Sequence, residues 1–253
     1  MDGFDLTDGQ LFKPLAWLGF EHPFFTLKMS DVNTIVQTWI ILLIVLFILC
    51  GARYFLRYKQ SIPYFLTTTF VRTFIDMTVQ TLGSFHFNHF AFITSLFIFI
   101  LSCNSAAAIP WLAEPTSNIN TTLALGIVSF LYTQWYAIRA TGLKAYLKSY
   151  LAPFFVMLPL NIIGKLSNII SISFRLFGNI FGGSMIGTMY EKIIAGSVIW
   201  ETLGLFTGLN FVILFFFGLF EGFLQAFVFA MLSLTYLSIA IQTEETTAKE
   251  TKR

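Results

Sequence analysis

The chain has 253 residues; 56% are hydrophobic, 18% aromatic and only 11% charged, and 31 are Phe. Soluble proteins are about 45–50% apolar and about 25% charged, so a disordered, collagenous or conventionally charged soluble protein is excluded and an all-α, polytopic membrane protein is indicated. A net charge of +2 with no basic patch excludes a nucleic-acid partner, and Cys50 and Cys103 form neither a metal spacing nor a disulfide framework.

Residues 1–31 are polar and mixed, with Asp2, Asp5, Asp8 and Lys13, and lack the pattern of a cleavable signal peptide. They read as an outside tail with a short amphipathic piece near 11–20. Residues 32–56 form the first apolar run, long enough at 1.5 Å per residue to cross a hydrocarbon core of about 30 Å. Residues 57–89 form an inner-side loop. Within it, Ile62–Leu82 mixes apolar residues with Thr, Arg72 and Asp76 and reads as an interfacial helix. Arg72 and Asp76 lie one turn apart and are expected to pair. His86 and His89 read as interfacial histidines, since H-x-x-H lacks a third ligand.

Residues 90–241 form a helical bundle. Its first span covers residues 90–112, a polar turn follows over 114–120, and the next span covers 121–138. Two longer apolar stretches, 153–190 and 201–241, exceed what a perpendicular span needs, so strong tilt is expected. A short link over 191–197 makes them an antiparallel hairpin. The tail 242–253 is charged and expected to fray. This gives about five crossings plus one interfacial helix.

The basic residues orient the chain. With the N-terminus outside, Arg53, Arg57, Lys59, Arg72, Arg139, Lys144, Lys148, Lys249, Lys252 and Arg253 fall inside, against Lys13, Lys28 and Lys192 outside. The expected topology is therefore N-out and C-in, with the C-terminal tail on the inner side.

The informative residues are polar groups within apolar helices. An arginine at mid-bilayer costs about 3 kcal/mol on insertion scales, so it faces protein or a wet cavity. Arg175 sits deep in its stretch, on a strip with Asn161, Gly164, Asn168, Ser171, Asn179 and Gly182 at helical spacing. Such a strip admits a close neighbour. A glycine-lined contact with a locally paired arginine is an alternative reading at this stage. The last stretch carries Gly218, Glu221, Gln225, Ser233 and Tyr236 at similar spacing, with Glu221 and Gln225 one turn apart. Glu221 reads either as a neutral packing carboxyl or as a proton relay. If the hairpin packs antiparallel, Arg175 and Gln225 lie at similar depth.

Ser173-Phe174-Arg175-Leu176-Phe177-Gly178-Asn179 resembles the signature of subunit a of F-type ATP synthases. Met157-Leu158-Pro159-Leu160, Pro115-Thr116-Ser117 with Asn120-Thr121-Thr122-Leu123, Gly142-Leu143-Lys144-Ala145-Tyr146-Leu147 and Gln225-Ala226-Phe227-Val228-Phe229 resemble that family in the same order. The resemblance implies a stator subunit beside a ring of c subunits, held by peripheral-stalk b subunits in a lipid bilayer. It implies two offset half-channels carrying protons, with Na⁺ not excluded, to and from the ring carboxyls. Arg175 matches the arginine that blocks a direct leak, Asn179 the asparagine one turn on, Gln225 the glutamine facing it, and Ser171 a small polar position on the inner half-channel.

Two positions depart from the family. Asn161 stands where Glu is frequent, and Ser184 where Glu or His is common. The acidic position seven residues before the glutamine in some members is Gly218 here, so Glu221 is hypothesised to take over the outside relay. Lys165 reads as a snorkelling side chain. No cofactor, metal cluster or ATP site is implied, and the chain is not itself an enzyme. A bacterial plasma membrane is expected, with the mitochondrial inner membrane as the alternative. A secondary transporter with Arg175 as a substrate site is the runner-up, disfavoured by the missing internal repeat. An intramembrane enzyme lacks a nucleophile pair.

Overall fold

The computed structural model describes residues 11–12, 27–56, 62–108, 112, 114–143, 146–147, 157–194 and 214–251. Among the described residues, two short antiparallel strands, β1 (Leu11–Phe12) and β2 (Leu27–Lys28), precede six long helices. These are α1 (Met29–Phe55), α2 (Ile62–Leu82), α3 (Phe87–Asn104), α4 (Ile119–Thr141), α5 (Met157–Ile194) and α6 (Glu221–Thr251). Of the expected link over 191–197, residues 191–194 belong to α5; residues 195–197 and 201–213 lie outside the described residues.

Among the described residues, four helices are long and apolar enough to cross a membrane, over Val32–Tyr54, Phe87–Asn104, Leu158–Tyr190 and Glu221–Ile241. The remaining expected crossing is α4. Its 23 residues span about 35 Å at 1.5 Å per residue, enough to cross. It is less apolar because its polar groups turn inward: Thr122, Ser129 and Thr133 are buried. Ser129 Oγ donates to Ser233 Oγ of α6 at 2.8 Å, and Thr133 Oγ1 returns to its own turn at Ser129 O.

Turn chemistry sets the helix ends. Residue 112 was the expected end of the second span, but the α-helix stops at Asn104, whose side chain leaves the helix to bond elsewhere, and Ser105–Ala108 tightens into a 3₁₀ turn. Pro115 opens a second 3₁₀ turn, Pro115–Ser117, where its missing N–H costs nothing. Asn118 then caps α4, accepting from Asn120 N at 3.0 Å. Gly142 closes α4 at φ +87°, a backbone conformation that side chains rarely tolerate. A π-helical turn, Leu214–Phe220, leads into α6.

The core forms around α6. Ala226, Phe229, Ala230, Leu234 and Leu237 are at most 1% exposed. The first four join Phe74 of α2, Ile93, Phe97 and Ile100 of α3, and Ile172, Leu176 and Ile180 of α5 in one cluster. Among α1 residues, Ile41 is the buried one; it packs with Cys103 and Ala106, while Trp39 and Phe47 are 65% and 81% exposed. Such a surface suits lipid rather than water.

α5 and α6 run antiparallel, as expected. Asn179 meets Gln225, while Ser173 and Ser233 lie against the neighbouring α4 positions Gly126 and Ser129. Falling numbers on α5 thus meet rising numbers on α6. Helix α2 occupies the range expected of the interfacial helix and is tied to α6 by Ser238 Oγ donating to Thr81 O at 2.8 Å. Arg72 and Asp76 are both exposed on it, and no ion pair joins them, contrary to expectation. Where the tail was expected to fray, α6 continues to Thr251, through a segment rich in the helix formers Glu, Ala and Lys.

Candidate functional site

Helix α5 has two unlike sides. Ile172, Ser173, Leu176 and Ile180 are buried against the bundle. Close approach to α4 depends on Gly126: a Cβ there would collide with Ser173 Oγ and lie 3.3 Å from Ile169 Cγ2. The other side carries Arg175, Ser171 and Asn168, all exposed. Gly164, Gly178 and Gly182 face open space, since a Cβ at each would meet nothing within 4 Å. The small-residue strip is therefore not the seam between α5 and α4 or α6. It is an outer surface of this chain.

Arg175 lies at the middle of the 38-residue α5. Its guanidinium makes no hydrogen bond or ion pair among the described residues. This removes the alternative in which a buried arginine pairs locally. The guanidinium stays charged at any relevant pH, so in mid-membrane it requires a counter-charge or water from beyond this chain.

One turn further along, Asn179 Nδ2 donates to Gln225 Oε1 at 2.7 Å. Gln225 is 3% exposed, and its own Nε2 has no partner among the described residues. The structure thus brings together Arg175, Asn179 and Gln225, with Asn179 rather than Arg175 touching the glutamine. Glu221 lies one turn before Gln225 and is half-buried.

The other candidate residues are more dispersed. Ser184 is exposed and bonded within its own helix, donating to Phe181 O at 2.8 Å. Nine residues from Arg175 at about 100° each place it on the opposite side of α5. Asn161 is half-buried near the start of α5, more than three turns from Arg175. Lys165 Nζ sits 5.1 Å from the centre of the Tyr146 ring, a cation–π contact. His89 departs from its interfacial reading. It is buried, with Nδ1 3.0 Å from Tyr132 Oη and its ring edge-on to Tyr136, whereas His86 is exposed beside Ser84. No group of three metal-ligating side chains occurs among the described residues.

Sequence reasoning passed over Glu114. It is half-buried in the turn between α3 and α4, and burial pushes its carboxyl up to about 7. The available signal was its isolation: no other acidic residue lies between Asp76 and Glu191.

The family described as ATP synthase A chain matches residues 35–238. A protein of Moorella thermoacetica named ATP synthase subunit a is 31% identical, over 81% of this chain and 89% of its own. ATP synthase subunit a 1 of Prosthecochloris aestuarii is also 31% identical, over 84% and 91%. ATP synthase subunit a 2 of Picosynechococcus sp. is 37% identical over 62% of each chain, so that match spans less than two thirds of the relative. Arg175, Asn179 and Gln225 fall within the matched range, and the chain belongs to the ATP synthase A chain family.

Proposed function

We propose that this chain is the proton-translocating stator subunit of a rotary ATP synthase, and that the outer strip of α5 is the surface past which a ring of c subunits turns. The observation that carries the reading is Arg175: a permanent cation at the middle of a membrane-length helix, exposed, bordered by glycines and unpaired within the described residues. A carboxylate on a passing ring subunit supplies the missing counter-charge. Near the guanidinium the ionised carboxylate is favoured, so the ring gives up its proton there. The same charge repels a proton from crossing between two aqueous half-channels. Protons then travel with the ring, driven by about 2.3 kcal/mol per charge per 100 mV.

The Asn179–Gln225 pair supports a defined arginine position, because it ties α5 to the buried face of α6 one turn away. Ser171 lies on the inner side of Arg175, with Asn161 further in, and Glu221 and Ser184 lie on its outer side in the N-out orientation. ATP chemistry resides in other subunits, with peripheral-stalk b subunits holding this chain against the ring.

The test is ATP-driven acidification of liposomes holding the purified complex, with Arg175→Ala beside the parent. Lost pumping with a retained or raised passive proton leak is expected. Pumping that survives makes the arginine structural and refutes this mechanism. Copurification with a ring of small subunits separates the stator from a stand-alone transporter.

A further inference from the structure

The Pro115–Ser117 turn is built into the bundle rather than laid over it. Thr116 is fully buried, and its Oγ1 donates to Asn104 Oδ1 at 2.8 Å. Asn104, also fully buried, donates from Nδ2 to Gly222 O at 3.0 Å. Two hydrogen bonds thus run from the turn through the end of α3 to the first turn of α6, where Glu221 precedes Gly222. Glu114 stands immediately before this turn, and its carbonyl accepts from Ser117 N at 3.1 Å and from Ser117 Oγ at 2.7 Å. Its backbone is held in place while its side chain is half-buried, with no hydrogen bond or ion pair among the described residues.

A purely structural carboxylate is expected to have a partner, and a purely solvated one is expected to be exposed. Glu114 is neither. Few charged or titratable groups lie toward the turn on the elements around it; Lys165, His89, Cys50, Arg53, Tyr54 and Tyr236 sit toward their far ends. α6 brings Glu221 at this end. α5 carries Arg175 at its middle and Tyr190, Glu191 and Lys192 at its end. α3 carries the buried Cys103, and α1 bears Asp31 at its start. α4 has Arg139 at its far end and Tyr132 and Tyr136 beyond its middle.

Resting on the function proposed above, we infer that Glu114 is a proton-binding station at the outer mouth of the channel, exchanging protons between outside water and the region of Glu221. One proton joins the Glu114 carboxylate from water on one side and leaves the same carboxyl toward water or Glu221 on the other, so charge and atoms balance. A carboxyl raised to about 7 has both forms populated near neutrality, as a relay requires. The station supplies an ionisable group at the outer end, where Ser184 has none.

The experiment compares parent, Glu114→Gln, Glu114→Asp and Arg175→Ala complexes in liposomes. It measures ATP-driven acidification per assembled complex over a range of lumen pH, together with passive leak. Glu114→Gln is expected to lower the rate about fivefold or more near pH 7 with unchanged leak, because protonation-state catalysis is removed. Glu114→Asp is expected to pump with a displaced pH midpoint. Parent-like rate and pH profile in Glu114→Gln overturn the inference. If that variant does not assemble, a parent-like pH profile in Glu114→Asp overturns it equally. Pumping retained in Arg175→Ala defeats the underlying function instead, so the two failures are distinct.

Discussion

Gly126→Ala tests whether the α4–α5 seam sets the position of the arginine. The added Cβ meets the fully buried Ser173 Oγ, 3.3 Å from Ile169 Cγ2 and 3.4 Å from Ile169 O. Burying one methyl favours folding by about 0.8 kcal/mol. Overpacking a filled seam costs about 1–3 kcal/mol. The collision falls on the hydroxyl of a fully buried side chain, whereas the Ile169 atoms stay near ordinary contact, so a net loss of about 1–2 kcal/mol is expected. α5 or the Ser173 side chain must shift to relieve this overlap, two residues from Arg175. ATP-driven pumping should therefore fall along with thermal stability. Ser173 Oγ has no partner among the described residues, so Ser173→Ala alone should be neutral or slightly stabilising. The double variant should recover most of what Gly126→Ala loses, a coupling of about 1 kcal/mol. The assay is a double-mutant cycle on the purified complex, reading heat-induced aggregation of this chain and initial pumping rate. Parent-like behaviour of Gly126→Ala, or no recovery on adding Ser173→Ala, refutes the reasoning.

Asn104→Ala removes both side-chain bonds that join the turn to α6 and leaves the buried Thr116 hydroxyl without its acceptor; a loss of about 2–3 kcal/mol is expected, read as a lower unfolding temperature of this chain in the complex. Stability should also respond to the state of Glu114. Its carboxyl is raised from 4.5 to about 7 by burial, so the protonated form is the one the fold prefers. That contribution is full below about pH 4.5, is lost as pH rises to about 7, and is level above. At 1.36 kcal/mol per unit the shift corresponds to about 3 kcal/mol, or about half that once partial exposure is discounted. Between pH 5 and 7.5 the parent should lose thermal stability relative to Glu114→Gln; parallel melting curves over that range would count against it.

The helices were legible because lipid leaves a simple signature. Ile62–Leu82 was readable to the residue as α2, since Pro63 and Gly83 bracket a continuous run. Arg175 stood out because a charge in an apolar helix is costly wherever it points. Its direction was not legible. The strip around it suggested a close neighbour, and only the burial of Ile172, Leu176 and Ile180 shows that the strip lies on the opposite side from the chain's own core. Gln225 was expected at a depth similar to Arg175 and is level with Asn179, one turn further along. Asn179 takes the glutamine because it lies at the rim between the two faces. The Asn104–Thr116–Gly222 chain was invisible, as it joins residues far apart in sequence through a helix that ends before its apolar run does. Ser233 stood out on the polar face of the last stretch, but its bond to Ser129 of α4 was not legible.

The exposure of Arg175 and the burial of Gln225 follow from one constraint on α5. On the proposed function, α5 packs on two neighbours and also presents a charge to a turning ring, so it cannot use its charged residue as glue. An internal partner for the arginine would hold it in place but would neutralise its effect on any passing carboxylate. An unsupported arginine would keep its charge but wander, since its side chain carries about 2 kcal/mol of rotamer entropy. Here the amide pair Asn179–Gln225 fixes the helix without consuming the charge, and Gly178 and Gly182 clear the approach. Arginine suits this arrangement better than lysine because burial readily lowers a lysine's pKa, whereas the guanidinium stays ionised. The bundle's rigidity and the strip's openness are thus two sides of one helix, and the positive charge remains available to a partner outside the chain.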